Sequence, residues 1–357
     1  MRCFVSKSLS GAIIEKSLYF SKFSCTSCAN LVIKRTNHIN INIIMKFFMP
    51  IPILDKIINF KYIKSRKLPS IQKITGRENK FAIVAIIKNE KKYIKEWIEF
   101  YIIQGVEKIF IYDNGSSDEI VEYLGQYIQS GKCIIIPWQT FFSVKHNNFS
   151  IQALAYAHAI CNFGCDFRWM GFFDVDEFLF PVKEGNLIDC LAQFDHFPSI
   201  SIPWTNFGPN GHTDQPNGLV IENYTECSPL PLLRSQRALL RYKTIVDPSA
   251  ISGMGTHYFP LIGFGQVLIN ENGERRSFSD SRDPSFATNR FFQLNHYFAK
   301  SLSDIEVRLQ KGRVSKNGKI SENYLDKRLK AYELSKTVDV KILRFVEPLR
   351  AKINSDE

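Results

Sequence analysis

The sequence predicts an α/β protein with a Rossmann-like, mostly parallel sheet that is flanked by helices. Three observations lead to this prediction. Strand-like apolar runs alternate with helical patterns through residues 80–181, which is typical of successive βαβ units. The runs are apolar on both faces, as expected for strands buried between helices. Polar side chains follow the runs, at the edge where open α/β sheets bind ligands.

The elements of the sheet can be assigned in chain order. Apolar residues recur at helical spacing from Lys91 until Gly105 ends the pattern. The predicted strands are Lys80–Glu90, Lys108–Tyr112, Lys132–Trp138 and Arg168–Pro181, and the predicted helices are Lys91–Gly105, Glu119–Gly131 and Ser150–Gly164.

The last of these strands carries an unusual group of acids. Asp174, Asp176 and Glu177 interrupt an apolar, aromatic run, and carboxylates this close repel one another unless a positive charge lies beside them. On an extended strand, Asp174 and Asp176 face the same side. Two adjacent oxygen ligands suit Mn²⁺ or Mg²⁺. A solvated acidic turn without metal is the alternative that the pattern leaves open.

Polar clusters end three of the four predicted strands. They are Asn89 with Glu90, the run Asp113–Asp118, and the acids Asp174–Glu177. Because the carboxyl ends of parallel strands meet at one edge of a sheet, these clusters predict a single site. Asp118 is expected to cap a helix, since Asp favours the N-cap position.

Composition narrows the class of protein. The 357 residues are 45% hydrophobic and carry a net charge of +11, which excludes a chain that is disordered throughout. No basic helix interleaved with aromatic residues stands out, so nucleic acid is not an expected partner. No apolar run approaches the about 18 residues of a transmembrane helix. Peripheral contact with an anionic membrane stays open.

The chain is expected to divide into three parts. Residues 1–76 form an N-terminal extension that is partly disordered, and residues 1–44 read as an over-extended gene start or a leader. Residues 77–300 hold the catalytic domain, and residues 301–357, with helical spacing and many lysines, form a helical tail.

Four segments resemble the domain of glycosyltransferase family 92, a GT-A-fold branch of the nucleotide-sugar transferases that is similar to family 2. They are IIKNEKKYIKEWIEFYIIQGVEKIFIYDNGSSD, WMGFFDVDEFLFP, SIPWTNFGPNGH and FQLNHYFAKS, and the resemblance runs from about Phe81 to about Gly312. It implies a GT-A fold and metal-dependent, inverting transfer of a sugar such as galactose. The donor would be a nucleoside diphosphate sugar, with UDP-sugar the first choice.

The resemblance also suggests roles for individual residues. Asp176 matches the second acid of the D-x-D motif and would bind the metal. Asp174 would bind the ribose or contribute to metal binding, for example through a metal-bound water. His296 would be a late metal-ligating histidine. Five residues, four of them at the ends of predicted strands, would bind the nucleotide-sugar: Asn89, Glu90, Asp113, Asp174 and Lys243.

The acceptor side is expected downstream of the acids. Trp204 offers a sugar-stacking face, although core packing is the commoner role of such a residue, and Glu177 could bond the acceptor. An inverting enzyme needs a carboxylate base. Glu222 is preferred over Asp214 and Glu226 for this role, on position in the chain alone.

The expected biology is polysaccharide synthesis at the cytoplasmic side of a bacterial membrane, with a glycan or a lipid-linked saccharide as acceptor. Two rival classes remain. A nucleotidyltransferase would need a glycine-rich phosphate loop after the first strand, and VAIIKNEKKY contains no glycine. A non-catalytic carbohydrate-binding protein would need the aromatic residues without the acids.

Overall fold

A computed structural model of the protein describes residues 67–138, 150–311 and 322–354. These residues belong to one unit, Lys64–Glu357. The predictions for residues 1–44, and most of the predicted extension 1–76, fall outside the described residues.

The centre of the protein is an eight-stranded sheet with the order β3-β2-β1-β4-β8-β6-β11-β5. The strands are β1 Phe81–Ile87, β2 Lys108–Asp113, β3 Cys133–Pro137, β4 Trp169–Phe172, β5 Glu177–Pro181, β6 Ser199–Asn206, β7 Glu226–Cys227, β8 Tyr242–Val246, β9 Val267–Ile269, β10 Arg275–Ser277, β11 Phe292–His296 and β12 Thr337–Val338. The short strands form two ribbons, β9 with β10 and β7 with β12.

The first half of the sheet is parallel. β1 pairs with β2 and β4, and β2 pairs with β3, all in parallel register. β8 then runs antiparallel to β4 and β6, β11 runs parallel to β6, and β5 closes the edge antiparallel to β11. The predicted α/β class, with its Rossmann-like parallel half, is confirmed.

The helices are α1 Lys91–Ile103, α2 Ile120–Tyr123, α3 Gly125–Gln129, α4 Ile151–Phe163, α5 Leu187–Ala192, α6 Val220–Asn223, α7 Leu302–Lys311, α8 Glu322–Glu333 and α9 Val346–Asn354. The predicted helices Lys91–Gly105 and Ser150–Gly164 are therefore confirmed as α1 and α4. The predicted helix Glu119–Gly131 is two short helices, since Leu124 ends one and begins the next.

Apolar residues on both faces explain why β1 lies in the middle of the sheet. Every residue of β1 is buried. Phe81, Ile83, Ala85 and Ile87 pack with the apolar face of α1 in one core cluster, and the alternate residues pack with α4 in another. This period-two division buries both faces of the sheet under helices.

The described helices after residue 300 contribute to the same core. Leu349 of α9 is fully buried in the cluster that contains α1, and Phe345 packs edge-on against Phe100 with 5.3 Å between ring centroids. Among the described residues, none of the helices has both the length and the apolar character to cross a bilayer.

The prediction of one strand across Arg168–Pro181 is wrong. β4 ends at Phe172, and β5 begins at Glu177 on the far edge of the sheet. The amide of Glu177 donates to the carbonyl of Asp174 at 3.0 Å, which closes a turn between the two strands. Asp174 and Asp176 therefore do not lie side by side on an extended strand.

Candidate metal and nucleotide-sugar site

The turn between β4 and β5 brings three potential metal ligands together. Ligand atoms of Asp176, Glu177 and His296 all lie within 4.8 Å of one another. The pairing of β5 with β11 explains this, because the antiparallel register sets His296 directly opposite Glu177. A histidine 119 residues further along the chain is thereby placed beside the acids by strand pairing.

The His296 ring is held between Asn206 and Asp176. Burial lowers the pKa of His296 to about 4, so the imidazole is neutral at pH 7. Its Nδ1 lies 3.3 Å from Oδ1 of Asn206, and Arg328 Nη2 donates to the same oxygen at 2.7 Å. Arg328 Nη2 also lies 3.4 Å from Nδ1, so Asn206 and Arg328 together hold the ring with Nε2 3.7 Å from Oδ2 of Asp176.

The other two acids are linked by a buried lysine. Nζ of Lys243, which is 1% exposed, lies 3.0 Å from Oδ2 of Asp174 and 3.2 Å from Oε2 of Glu177. Burial works against the charge on Lys243, yet Asp174 and Glu177 outweigh it and hold the pKa of the ammonium well above its usual range. Burial raises the pKa of Glu177, and Lys243 only partly offsets this effect.

The donor set fits a divalent cation. Oε1 of Glu177 is buried and has no hydrogen-bond partner among the described residues, although buried carboxylate oxygens are normally bonded. Together with Nε2 of His296 and the carboxylate of Asp176, it offers the mixed oxygen and nitrogen ligands that suit Mn²⁺ or Mg²⁺. Of the predicted ligands, Asp176 and His296 come together, Glu177 joins them, and Asp174 pairs with Lys243 instead.

Positive side chains surround Asp176. Burial disfavours its charged form, but the neighbouring His296 ring and the charges of Arg308 and Lys300 outweigh this cost and hold the pKa of Asp176 well below its usual range. Nζ of Lys300 lies 4.3 Å from the centre of the Tyr93 ring. Burial lowers the pKa of Lys300, while the charges of Asp176 and Glu90 act in the opposite direction.

The carboxyl ends of β1 and β2 are joined by side-chain hydrogen bonds. Asn89, in the left-handed region with φ of 54°, donates its backbone N–H to Ser116 Oγ at 2.9 Å, and its Oδ1 accepts from the N–H of Ser117 at 2.7 Å. Asp113 Oδ1 accepts from the N–H of Ser116 at 2.9 Å. The prediction that Asp118 is a helix N-cap is wrong, because Glu119 holds that position for α2, and Asp118 instead accepts from the N–H of Lys91 in α1 at 2.8 Å.

The predicted acceptor and base residues lie in different environments. Trp204 is 5% exposed and packs against the His296 ring with 4.0 Å between centroids, so it is a core residue beneath the site. Glu177 is fully buried. Glu222 caps α6 by accepting from the N–H of Leu219 and forms an ion pair with Arg350. Asp214 is exposed in the loop after β6.

The family model of glycosyltransferase family 92 matches residues 84–331. The chain belongs to glycosyltransferase family 92. This finding confirms the family that the sequence resembled and its place among the glycosyltransferases. The sheet, whose parallel half continues into strands of mixed direction, is of the predicted GT-A type.

Two relatives are plant members of family 92. A protein of Oryza sativa subsp. japonica is 29% identical over 221 residues, which are 57% of this chain and 35% of the relative. One of Arabidopsis thaliana is 26% identical over 219 residues, 56% of this chain and 35% of the relative. The matched region thus spans about a third of each family 92 relative, and neither supports the expected bacterial source.

Among solved structures, residues 1–349 of S. aureus TarS share 15% identity with a TM-score of 0.31, covering 71% of each chain. The same fragment in complex with UDP is 17% identical to this chain with a TM-score of 0.30, and the match covers 48% of this chain and 47% of that one. At such low TM-scores the likeness carries no argument about this family 92 member.

Sequence reasoning missed three side chains at the site. Asn206 lies in SIPWTNFGPNGH, one of the segments that resemble family 92, and this position was the one signal that could have identified it as a site residue. Arg308 and Arg328 stand in a lysine-rich and arginine-rich region, where nothing in the local pattern separates a site residue from a surface residue.

Proposed function

We propose that this protein is a divalent-metal-dependent, inverting glycosyltransferase. It would move a sugar from a nucleoside diphosphate donor, with UDP-sugar the first choice, to a hydroxyl of a glycan or lipid-linked saccharide. The observation that carries the proposal is the convergence of Asp176, Glu177 and His296 where the turn between β4 and β5 meets the end of β11. Membership of family 92 supports the reaction class.

Each residue of the proposed metal site has a distinct role. Asp176, His296 and Oε1 of Glu177 would hold Mn²⁺ or Mg²⁺, which supplies charge neutralisation for the departing diphosphate. Lys243 keeps the second oxygen of Glu177 occupied. Asn206 fixes the orientation of His296 through Nδ1, and an oriented ring binds metal more strongly.

The donor nucleotide is assigned to the crevice at the ends of β1 and β2. The hydrogen bonds of Asn89 and Asp113 with Ser116 and Ser117 support this assignment, because they give the two loops one fixed shape. Lys300 adds a positive charge that interacts with both Asp176 and Glu90. A preorganised positive edge stabilises the charge that develops on a leaving diphosphate.

The base of an inverting reaction must reach the acceptor hydroxyl. Both oxygens of Glu222 are engaged, one by Leu219 and one by Arg350, which favours a structural role. Neither Glu222 nor Asp214 is a member of the Asp176 group. Of these two, the exposed Asp214 is the better candidate. Peripheral membrane contact and a cytoplasmic location stay predictions.

A binding and hydrolysis experiment tests the proposal. The wild type is titrated with UDP-, GDP- and dTDP-sugars, with and without Mn²⁺, and slow release of the nucleoside diphosphate is followed. We expect one donor to bind only in the presence of Mn²⁺. Asp176→Asn and His296→Gln should each abolish this binding, whereas Asp189→Asn, an exposed change on α5, should leave it intact.

The same titration separates the rival classes. A nucleotidyltransferase would bind a nucleoside triphosphate with metal and release pyrophosphate. A carbohydrate-binding protein would bind saccharide equally well in Asp176→Asn and would ignore nucleotide. Either result, or donor binding that is unaffected by both Asp176→Asn and His296→Gln, would exclude the proposed function.

A further inference from the structure

Arg308 of α7 contacts the carboxylate that the proposed metal would need. Its Nη1 donates to Oδ2 of Asp176 at 3.1 Å and to the carbonyl of Phe298 at 2.8 Å. Nε2 of His296 lies 3.7 Å from the same Oδ2. A guanidinium and an imidazole therefore converge on one carboxylate oxygen.

This arrangement sets two cations in competition. A divalent ion held between Nε2 of His296 and Oδ2 of Asp176 would share the oxygen that Arg308 now bonds, and like charges at such short separation repel strongly in a partly buried site. The side chain of Asp176 is 15% exposed, so water screens the repulsion only weakly. Arg308 and a metal ion at Oδ2 of Asp176 therefore compete for the same oxygen.

Arg308 can leave Asp176 without unfolding its helix. Its side chain is 44% exposed. The first turn of α7 is anchored separately, because Asp304 accepts from Ser301 Oγ at 2.6 Å and from Tyr93 Oη at 2.5 Å. The backbone is thus fixed, and the exposed side chain can rotate once its hydrogen bonds to Asp176 and to the carbonyl of Phe298 are given up.

A released guanidinium would be next to the donor diphosphate. In the proposed reaction a divalent cation held by Asp176 would neutralise the donor diphosphate, which would bring the diphosphate oxygens within reach of a side chain whose Nη1 lies 3.1 Å from Asp176. Arginine binds phosphate through paired N–H donors. Nearby Lys300 supplies a single point charge in the same direction.

We propose that Arg308 is an exchangeable counter-ion, which neutralises Asp176 in the metal-free protein and binds the donor diphosphate once a divalent cation has taken its place. The inference rests on the proposed function and adds a donor-binding residue to it. It makes an unusual prediction, since one substitution should change the affinities for metal and for nucleotide in opposite directions.

The test compares Arg308→Met and Arg308→Lys with Arg276→Met. Arg276 is the matched control because it also pairs with carboxylates, Glu274 and Asp283, away from the site. Mn²⁺ affinity is measured by electron paramagnetic resonance without nucleotide. The affinities for UDP, GDP and dTDP, and for their monophosphates, are then measured by calorimetry in saturating Mn²⁺.

We expect Arg308→Met to bind Mn²⁺ roughly twofold to fivefold more tightly, the scale of a partly exposed ion pair. The same variant should bind the nucleoside diphosphate about tenfold more weakly or worse, since a charged hydrogen bond is lost, and the monophosphate should lose less. Arg308→Lys should fall between Arg308→Met and wild type, and Arg276→Met should match wild type in both affinities.

Two results would overturn the inference. If Arg308→Met weakens both affinities together, Arg308 has a structural role. If it leaves diphosphate affinity unchanged, Arg308 is a surface ion pair only. A wild type that binds neither Mn²⁺ nor any of the three diphosphates would instead refute the proposed function itself, and with it the role of Arg308.

Discussion

Substitution of Lys243 by methionine should cost much of the stability of the fold. Lys243 is 1% exposed and Glu177 is fully buried, with 3.2 Å between their charged atoms. At an effective dielectric constant of about 20, charges this close attract by about 5 kcal/mol. Methionine avoids the cost of burying the ammonium, so the net loss is smaller, about 3–5 kcal/mol, as for other buried pairs that lose one partner.

The size of this loss should depend on pH. Burial raises the pKa of Glu177 above its ordinary value of 4.5, so the folded protein binds this proton more tightly than the unfolded chain does. Stability from such a group is present at low pH and falls as the pH rises through the raised value. Without Lys243 the effect is larger, so Lys243→Met should lose more stability at pH 8 than at pH 5.

Urea unfolding followed by tryptophan fluorescence, without divalent ions, measures the loss. Lys92→Met is the matched control, because Lys92 is 50% exposed in its pair with Asp304 and should cost under about 1 kcal/mol. Adding Glu177→Gln to Lys243→Met should recover most of the loss, since no buried charge remains. A loss below about 1 kcal/mol that Glu177→Gln does not change would refute the reasoning.

Three further predictions follow from single contacts. Gly171→Ala would set a Cβ 2.4 Å from the Phe173 ring and should lower the free energy of unfolding in urea by about 1–3 kcal/mol. Gly125→Ala, whose Cβ would have no atom within 4 Å, should not lower it. Equal losses in the two variants would contradict this prediction. Burial raises the pKa of Glu96 from 4.5 to about 7, so its contribution to stability falls as the pH rises between these values. The melting temperature of Glu96→Gln should therefore vary less from pH 5 to pH 8 than that of wild type. Equal pH dependence of the two melting temperatures would exclude the effect. Arg328→Met should weaken Mn²⁺ binding about 10-fold to 100-fold without removing a ligand, because Arg328 helps Asn206 to hold the His296 ring; unchanged Mn²⁺ resonance titrations would rule it out.

The sequence alone predicted the elements that follow from local pattern. β1 was identifiable because all seven of its residues are apolar, and α1 because its apolar residues recur at helical spacing. The family was identifiable from four motifs in a fixed order. The edge of the sheet that carries the site followed from polar residues at strand ends, a rule that needs no coordinates.

The partners of the acidic residues depended on tertiary structure. Asp174, Asp176 and Glu177 adjoin in sequence, yet Asp174 and Glu177 pair with Lys243, 69 residues beyond Asp174, and Asp176 meets His296 and Arg308. The sequence indicated that these acids require positive charge and not which charge supplies it. Local periodicity fixes which way a side chain faces within its own strand, whereas strand register and the packing of distant helices decide which groups it meets.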